Sequence, residues 1–404
     1  MPCLTWPLTS RRLLRPRPDR HLRNIRVVHL RNTSDKPVQG TVAVSMPRYE
    51  FYEMPKGTGH AHTRQVTGSF AGMIGATGGW EYPLPWGYGY ALGVLGGAAA
   101  RCGQDFNADP TRWNNLGDHE HAPPLRPRAV EDAGASVAVD FALDGGETRV
   151  VRYLWAWHAQ TWSAKGSCRA GGNQFTHMYA DRFADIEAII DHIVENHESL
   201  LKRVLAWQQV VYNERQLGPW LRDSLVNILY MMTETGIWAQ AKTPIGDWCK
   251  PEDGVFGLNE SPRQCPQFEC LPCSFYGNLP VVYFFPKLAL STLRAYKAYQ
   301  FDNGQPPFMW GGYTAKVPVE DGVNGYDLAS PNRGYQEALN GCCVVEIVHK
   351  LCMRSNDEVL DELYDMCKRA TVWQMTLRPE YGDKQVVAMP TGEGKEWFEA
   401  PEPQ

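Results

Sequence analysis

The readable pattern begins at Ile25, where apolar and polar residues start to alternate. The runs IRVVHLRN (25–32), VQGTVAVSM (38–46), SVAVDFAL (136–143) and TRVVRYLWAW (148–157) bring branched and aromatic side chains back at alternate positions, the period of a strand with one buried face. Ser34-Asp35-Lys36-Pro37 separates the first pair and Asp144-Gly145-Gly146-Glu147 the second. The latter reads as a hairpin turn with Gly145 and Gly146 in positive-φ positions. Residues 51–135 are rich in Gly, Pro and aromatics and hold no period, so long irregular loops are expected there. Together these features predict an antiparallel β-sandwich.

The period then changes. Ile186, Ile189, Ile190, Ile193, Val194, Leu200, Leu201, Val204 and Leu205 recur at steps of three and four, predicting one amphipathic helix to about Gln209 that connects the β half to a helical half. Pro219 suits the first turn of a second helix carrying Leu221, Leu225, Ile228, Leu229 and Met232 on one face. Further helices are predicted at about 282–299, 338–354 and 357–376. In the last, Val359, Leu360, Leu363, Met366, Cys367, Ala370 and Trp373 form a core stripe. Within the helical half, Phe256–Tyr296 runs from a carboxylate-bearing, Cys/Pro-rich loop straight into apolar helical pattern. That is the arrangement of a catalytic loop at the mouth of a helical scaffold; Glu260 stands at its centre, and on composition alone it reads as a solvated loop carboxylate.

Composition narrows the class. With 404 residues, 43% apolar and 21% charged, the chain has the make-up of an ordered globular protein of two or three domains. A net charge of −5 with both signs interspersed points away from nucleic acid as the partner. The 14 Trp, 18 Tyr and 14 Phe suit a sugar-binding cleft, although core packing accounts for aromatics equally. Eleven scattered cysteines, Cys342 and Cys343 adjacent, read as reduced thiols of a cytoplasmic protein rather than a disulfide framework. Cys265, Cys270 and Cys273 have C-x4-C-x2-C spacing that offers three metal ligands, but no fourth of matching spacing follows and the prolines between them fit a rigid loop as well. No apolar run reaches transmembrane length. Residues 1–20 carry five arginines and one acid with helix-spoiling prolines, which favours a disordered leader over a targeting signal.

The stretch from His177 to Trp238, with Tyr179-x-x-Arg182-Phe183 and Leu217-x-x-Trp220-x-x-x-x-Leu225-x-Asn227, resembles the segment joining the two domains of glycoside hydrolase family 116, the group of the non-lysosomal glucosylceramidases or bile-acid β-glucosidases. The resemblance continues through Phe256-Gly257-x-x-Glu260 and through Phe275-Tyr276-Gly277 to Phe284-Phe285-Pro286-Lys287-Leu288, and spans roughly 25–400. It implies a β-sandwich over 21–165, a connecting loop and helix over 166–215, and an (α/α)6-toroid-like catalytic domain over 216–404. Only four or five helices follow residue 216, so that toroid is expected to be incomplete.

The activity implied is retaining β-glycoside hydrolysis with Glu260 as nucleophile. The acid/base falls on Glu399, in Phe398-Glu399, with Glu396 as its competitor. Where the family carries Pro-His-Asp to hold the sugar, this chain has Gln305-Pro306-Pro307-Phe308-Met309-Trp310, which weakens the expectation of glucose as the sugar. Tyr276, Asp302 and Trp310 are candidate sugar contacts, each also accounted for by packing or a solvated turn. The mechanism implies no metal or organic cofactor, a carbohydrate or glycolipid substrate, and self-association through any toroid face left uncovered. The alternative is a catalytically inactive carbohydrate-binding or interaction remnant of a truncated glycosidase.

Overall fold

The computed structural model describes residues 23–46, 60–78, 88–103, 128–129, 135–163, 174–230, 232, 235–243, 245–261, 265–312, 337–355 and 357–376. The chain divides into two units, Met1–Gln160 with Tyr179–Val210 and Thr161–Met178 with Val211–Gln404.

The first unit holds two antiparallel sheets. Strands β1 (Arg23–Arg31), β3 (His60–Val66), β4 (Phe70–Gly78), β5 (Tyr88–Leu95), β7 (Arg128–Ala129) and β9 (Thr148–Ala159) pair in the order β1-β9-β5-β4-β3-β7; β2 (Val38–Met46), β6 (Arg101–Gly103) and β8 (Ala135–Leu143) pair in the order β2-β8-β6. The four strands expected from alternation are present, but the expected hairpin is not. β9 pairs with β1 and β8 with β2, so the turns at 32–37 and 144–147 each carry the chain from one sheet to the other. Buried Asn32 ties these two arches together, its Nδ2 donating to the carbonyls of Lys36, Leu143 and Asp144. Gly146 takes positive φ, 78°, whereas Gly145 does not. Gly145 is required by closeness instead, since a Cβ there would lie 2.8 Å from the Asp35 carbonyl oxygen.

Both faces of the larger sheet are buried. Met73, Tyr90, Leu92 and Tyr153 pack against Val137, Val139 and Phe141 of the smaller sheet, and the Tyr153 hydroxyl donates to the Val42 carbonyl at 2.6 Å. Ile74, Ala91, Leu154 and Ala156 face helix α1 (Ile186–Tyr212) through Ile186, Ile189, Ile190 and Ile193, the stripe expected from the sequence. β4 and β5 fall in the region expected to be loop. Gly75 lies under the Tyr90 ring and Gly93 under the Phe70 ring, where a Cβ would come within 2.1 and 2.3 Å. Strands buried on both faces, with glycines seating aromatic rings, carry no alternation to read.

The second unit combines a sheet with short helices. β10 (Thr161–Ser163) pairs with β11 (Gln174–Thr176), and β12 (Gly236–Ala239), β13 (Val255–Ser261), β14 (Cys265–Phe268) and β15 (Gly311–Gly312) form an antiparallel sheet in that order. The helices are α2 (Pro219–Asn227), α3 (Leu271–Gly277), α4 (Leu279–Phe284), α5 (Pro286–Ala298), α6 (Glu337–Arg354) and α7 (Asp357–Thr376).

Proline sets the starts of four of these helices: Pro219, Pro272, Pro280 and Pro286 each stand in a first turn, where a missing N–H breaks no helical bond. Pro286 therefore splits the helix expected over 282–299 into α4 and α5. In α2 Val226 takes the core position, and Ile228, in the 3-10 turn Ile228–Tyr230 that follows, is exposed. The core stripe of α7 buries Val359, Leu363, Met366, Ala370 and Trp373 as expected, while Leu360 is exposed.

Two α6 cations serve the ends of shorter helices. Lys350 Nζ donates to the Phe275 carbonyl at 3.1 Å and Arg354 Nε to that of Tyr283 at 2.9 Å, meeting carbonyls left over in the last turns of α3 and α4. The fold is thus a mixed one of antiparallel sheets and helices. α6 and α7 make a helical hairpin, with no closed ring of hairpins among the described residues. No described helix is long and apolar enough to cross a membrane.

Candidate active site

Glu260 lies near the end of β13, a strand paired on both sides. Leu258 faces Gly236 of β12, and Asn259 faces Phe268 of β14. The register with β14 then slips: Asn259 faces Phe268 but Ser261 faces Cys265, so Pro266 and Gln267 together oppose Glu260 alone. Pro266 gives the reason, since it brings no N–H to the ladder and is accommodated in a sheet interior at a bulge. Bulges bend the strand and re-aim the residue beside them. On the other edge the Asn259 N–H donates to the Thr235 carbonyl at 2.9 Å, so the segment carrying Glu260 is held from both sides.

The carboxylate that sequence reasoning passed over is Glu269, between β14 and α3. It is 1% exposed and, among the described residues, the one non-glycine with positive φ, 54°. Its N–H donates to the Leu258 carbonyl at 2.9 Å, and its Oε1 accepts the Leu258 N–H at 2.6 Å. Oε2 accepts the Ser274 hydroxyl of α3, and the Glu269 carbonyl accepts the Tyr296 hydroxyl of α5 at 2.6 Å. From the same helix Ser291 donates to the Gly254 carbonyl at 2.7 Å and Thr292 to that of Phe256 at 2.9 Å. Three hydroxyls of α5 thus secure β13, the residue that precedes it and the residue that follows β14. One signal was available in the sequence: Glu269 is the only charged residue between Arg263 and Lys287.

Burial pushes the Glu269 carboxyl up from 4.5 to about 7, against the lowering pull of the Ser274 and Leu258 hydrogen bonds. The unfolded chain releases this proton near pH 4.5 and the folded chain near 7. The folded state therefore binds more protons within that window. Its stability is greatest below the unfolded value, falls as pH rises through the window, and levels off above it. The slope reaches about 1.4 kcal/mol per pH unit at most. Glu269→Gln, which keeps an acceptor for the Leu258 N–H, is expected to remove this slope, as urea midpoints of the two chains measured across the window will register.

The remaining expected residues are dispersed. Trp310 immediately precedes β15 and is 0% exposed, its ring edge-on to Phe268 with centroids 4.6 Å apart and flanked by Trp248 and Tyr299. That makes it a core residue of the flank of this sheet, with neither ring face open to a sugar. Because Gly311 pairs with Phe268 and Phe268 with Asn259, the strand that follows Trp310 and the strand that carries Glu260 belong to the same sheet. Tyr276 lies in α3. Asp302 is exposed, in a turn whose Phe301 and Asp302 carbonyls accept Arg369 Nη2 of α7 at 2.9 and 3.3 Å. Glu396 and Glu399 lie outside the described residues. Cys270 is buried against Phe308 and Met309 with Cys273 beside it, and no three His, Cys, Asp or Glu side chains among the described residues gather as a metal site.

No family model matches the sequence, and no curated protein matches it. Among solved structures the chain is similar to a family GH92 alpha-mannosidase from Bacteroides thetaiotaomicron, with a TM-score of 0.29 and 11% sequence identity over 84% of this chain and 42% of that one. The chain spans less than half the length of that enzyme, and a likeness of this score fixes neither fold nor activity.

Proposed function

We propose that the chain is a retaining β-glycosidase acting on β-glucosides or related β-glycosides, whether glucosylceramide-like lipids or oligosaccharides, with Glu260 as nucleophile and Glu399 as acid/base, Glu396 standing in if Glu399 does not serve. One observation carries the reading. The residue that the resemblance to family 116 selects stands at a β-bulge, on a strand whose backbone is held along both edges.

In the first step a Glu260 oxygen bonds to the anomeric carbon as the bond to the leaving oxygen breaks. That oxygen keeps the electron pair and takes the proton of Glu399. In the second step water gives its proton to Glu399 and attacks the same carbon, releasing Glu260. Two inversions retain the β configuration, and the two carboxyl groups must stand about 5–5.5 Å apart.

The test is a 2-deoxy-2-fluoro-β-glucoside with a good leaving group. Fluorine at C2 slows both steps and the leaving group restores the first, so a glycosyl-enzyme accumulates. Intact mass followed by peptide mapping is expected to find one adduct per chain, on Glu260. An adduct on another residue removes the assignment. Saturable glycan binding by a folded chain that forms no adduct marks the binding remnant instead.

A further inference from the structure

We propose that Glu269 is a positioning residue for Glu260: its side chain completes the hydrogen bonding of β13 where β14 departs, and so sets the reach of the carboxylate two residues beyond Leu258. The inference rests on the reading of Glu260 as the nucleophile.

β14 ends at Phe268, and at Glu269 the chain turns through a left-handed conformation. A strand that turns away leaves its neighbour with backbone groups to be met, and Leu258 is buried, 7% exposed. Glu269 meets both, its N–H serving the Leu258 carbonyl and its Oε1 the Leu258 N–H. An apolar residue would fill this buried place without the cost of desolvating a carboxyl, and a glycine would take the backbone conformation without strain. Neither would give the Leu258 N–H an acceptor. The carboxyl is itself held by Ser274, and the Glu269 carbonyl by Tyr296, so the clamp on β13 is anchored in α3 and α5. Beyond Leu258 on this edge, regular pairing with β14 continues only at Asn259 before the bulge opposite Glu260. The Glu269 clamp thus holds β13 two residues before the bulge position, and its loss acts on the placement of Glu260 without touching the substrate.

Glu269→Ala and Glu269→Gln in the full chain test this with two readouts. On an activated aryl β-glucoside, Glu269→Ala is expected to lower kcat about 10–100-fold, the effect of misplacing a reacting group by a fraction of an ångström to one ångström, with KM changed less than about threefold. Glu269→Gln, which retains an acceptor for Leu258 and a partner for Ser274, restores most of kcat. Hydrogen exchange at the amides of 258–261 is expected to quicken about tenfold or more in Glu269→Ala, while the amides of β12 keep their rates. Unchanged exchange at 258–261, or an unchanged kcat in an active chain, overturns the inference. If the wild-type chain neither turns over nor forms the fluoroglycosyl adduct, the reading of Glu260 fails. Quickened exchange then still identifies Glu269 as the anchor of β13. Should Glu269→Ala not fold, Ser274→Ala, which takes the hydroxyl away from Oε2 and from the Tyr296 side chain while leaving the Glu269 carboxyl in place, is expected to quicken the same amides about threefold, and no change there overturns the proposal.

Discussion

Trp310→Ala is expected to destabilise the second unit by about 3–5 kcal/mol, the range for removing a fully enclosed large aromatic. Trp310 is 0% exposed and fills the space between Phe268 of β14 and the rings of Trp248 and Tyr299, all in edge-on or tilted contact. Such contacts add to the burial of area, and alanine forfeits both. The cavity opens beside β14, the strand opposite Glu260, so the loss reaches the sheet that carries the site. Trp310→Phe separates packing from polarity. The indole N–H has no acceptor among the described residues, so phenylalanine breaks no hydrogen bond and is expected to cost about 1–2 kcal/mol for the smaller ring. Urea unfolding followed by circular dichroism, with each unit allowed its own transition, measures both variants. A Trp310 that served as a sugar platform would behave in the opposite way, with stability unchanged and KM raised.

The same residue shows where sequence reading stops. A tryptophan beside prolines reads equally as a platform or as core, and only the neighbours brought in by Phe268, Trp248 and Tyr299 decide between them. The helical stripes of α1 and α7 were legible because one face alone is apolar and the period is local. Strands β1, β2, β8 and β9 were legible one by one, but their partners were not. The Asp-Gly-Gly-Glu signal that marks a hairpin also fits an arch when Gly145 must pass Asp35, and no local pattern separates the two. β4 and β5 hid because glycine occupies positions that an alternating strand would fill with side chains. Pro286 was in plain view, and the break it makes between α4 and α5 follows from its missing N–H. Glu260 stood out only through family resemblance. Glu269 was passed over, although it is the one charged residue between Arg263 and Lys287; only the structure shows it buried, where a carboxyl must find partners.

Glu260→Gln is expected to lower kcat on an activated aryl β-glucoside by at least about 10³-fold, some 4 kcal/mol of transition-state stabilisation. The amide keeps the shape of the carboxylate but lacks the charge that traps the oxocarbenium-like centre. Glu260 is opposed by two residues of β14 rather than paired in register, so the exchange leaves the ladder as it is, and the urea midpoint should stay within experimental scatter. Undiminished turnover removes Glu260 from the chemistry. Azide separates the nucleophile from the acid/base. In Glu260→Ala, azide enters from the face the carboxylate vacates and displaces the leaving group once, giving the α-glycosyl azide. In Glu399→Ala the glycosyl-enzyme still forms from a substrate whose leaving group needs no proton, and azide then displaces Glu260, giving the β-glycosyl azide. The same experiment on Glu396→Ala decides between the two carboxylates near the C-terminal end of the sequence, since only the variant lacking the acid/base yields the β product. An α product from Glu399→Ala would exchange the roles assigned to it and Glu260, and the absence of either azide from all three variants would remove the double-displacement mechanism from this chain.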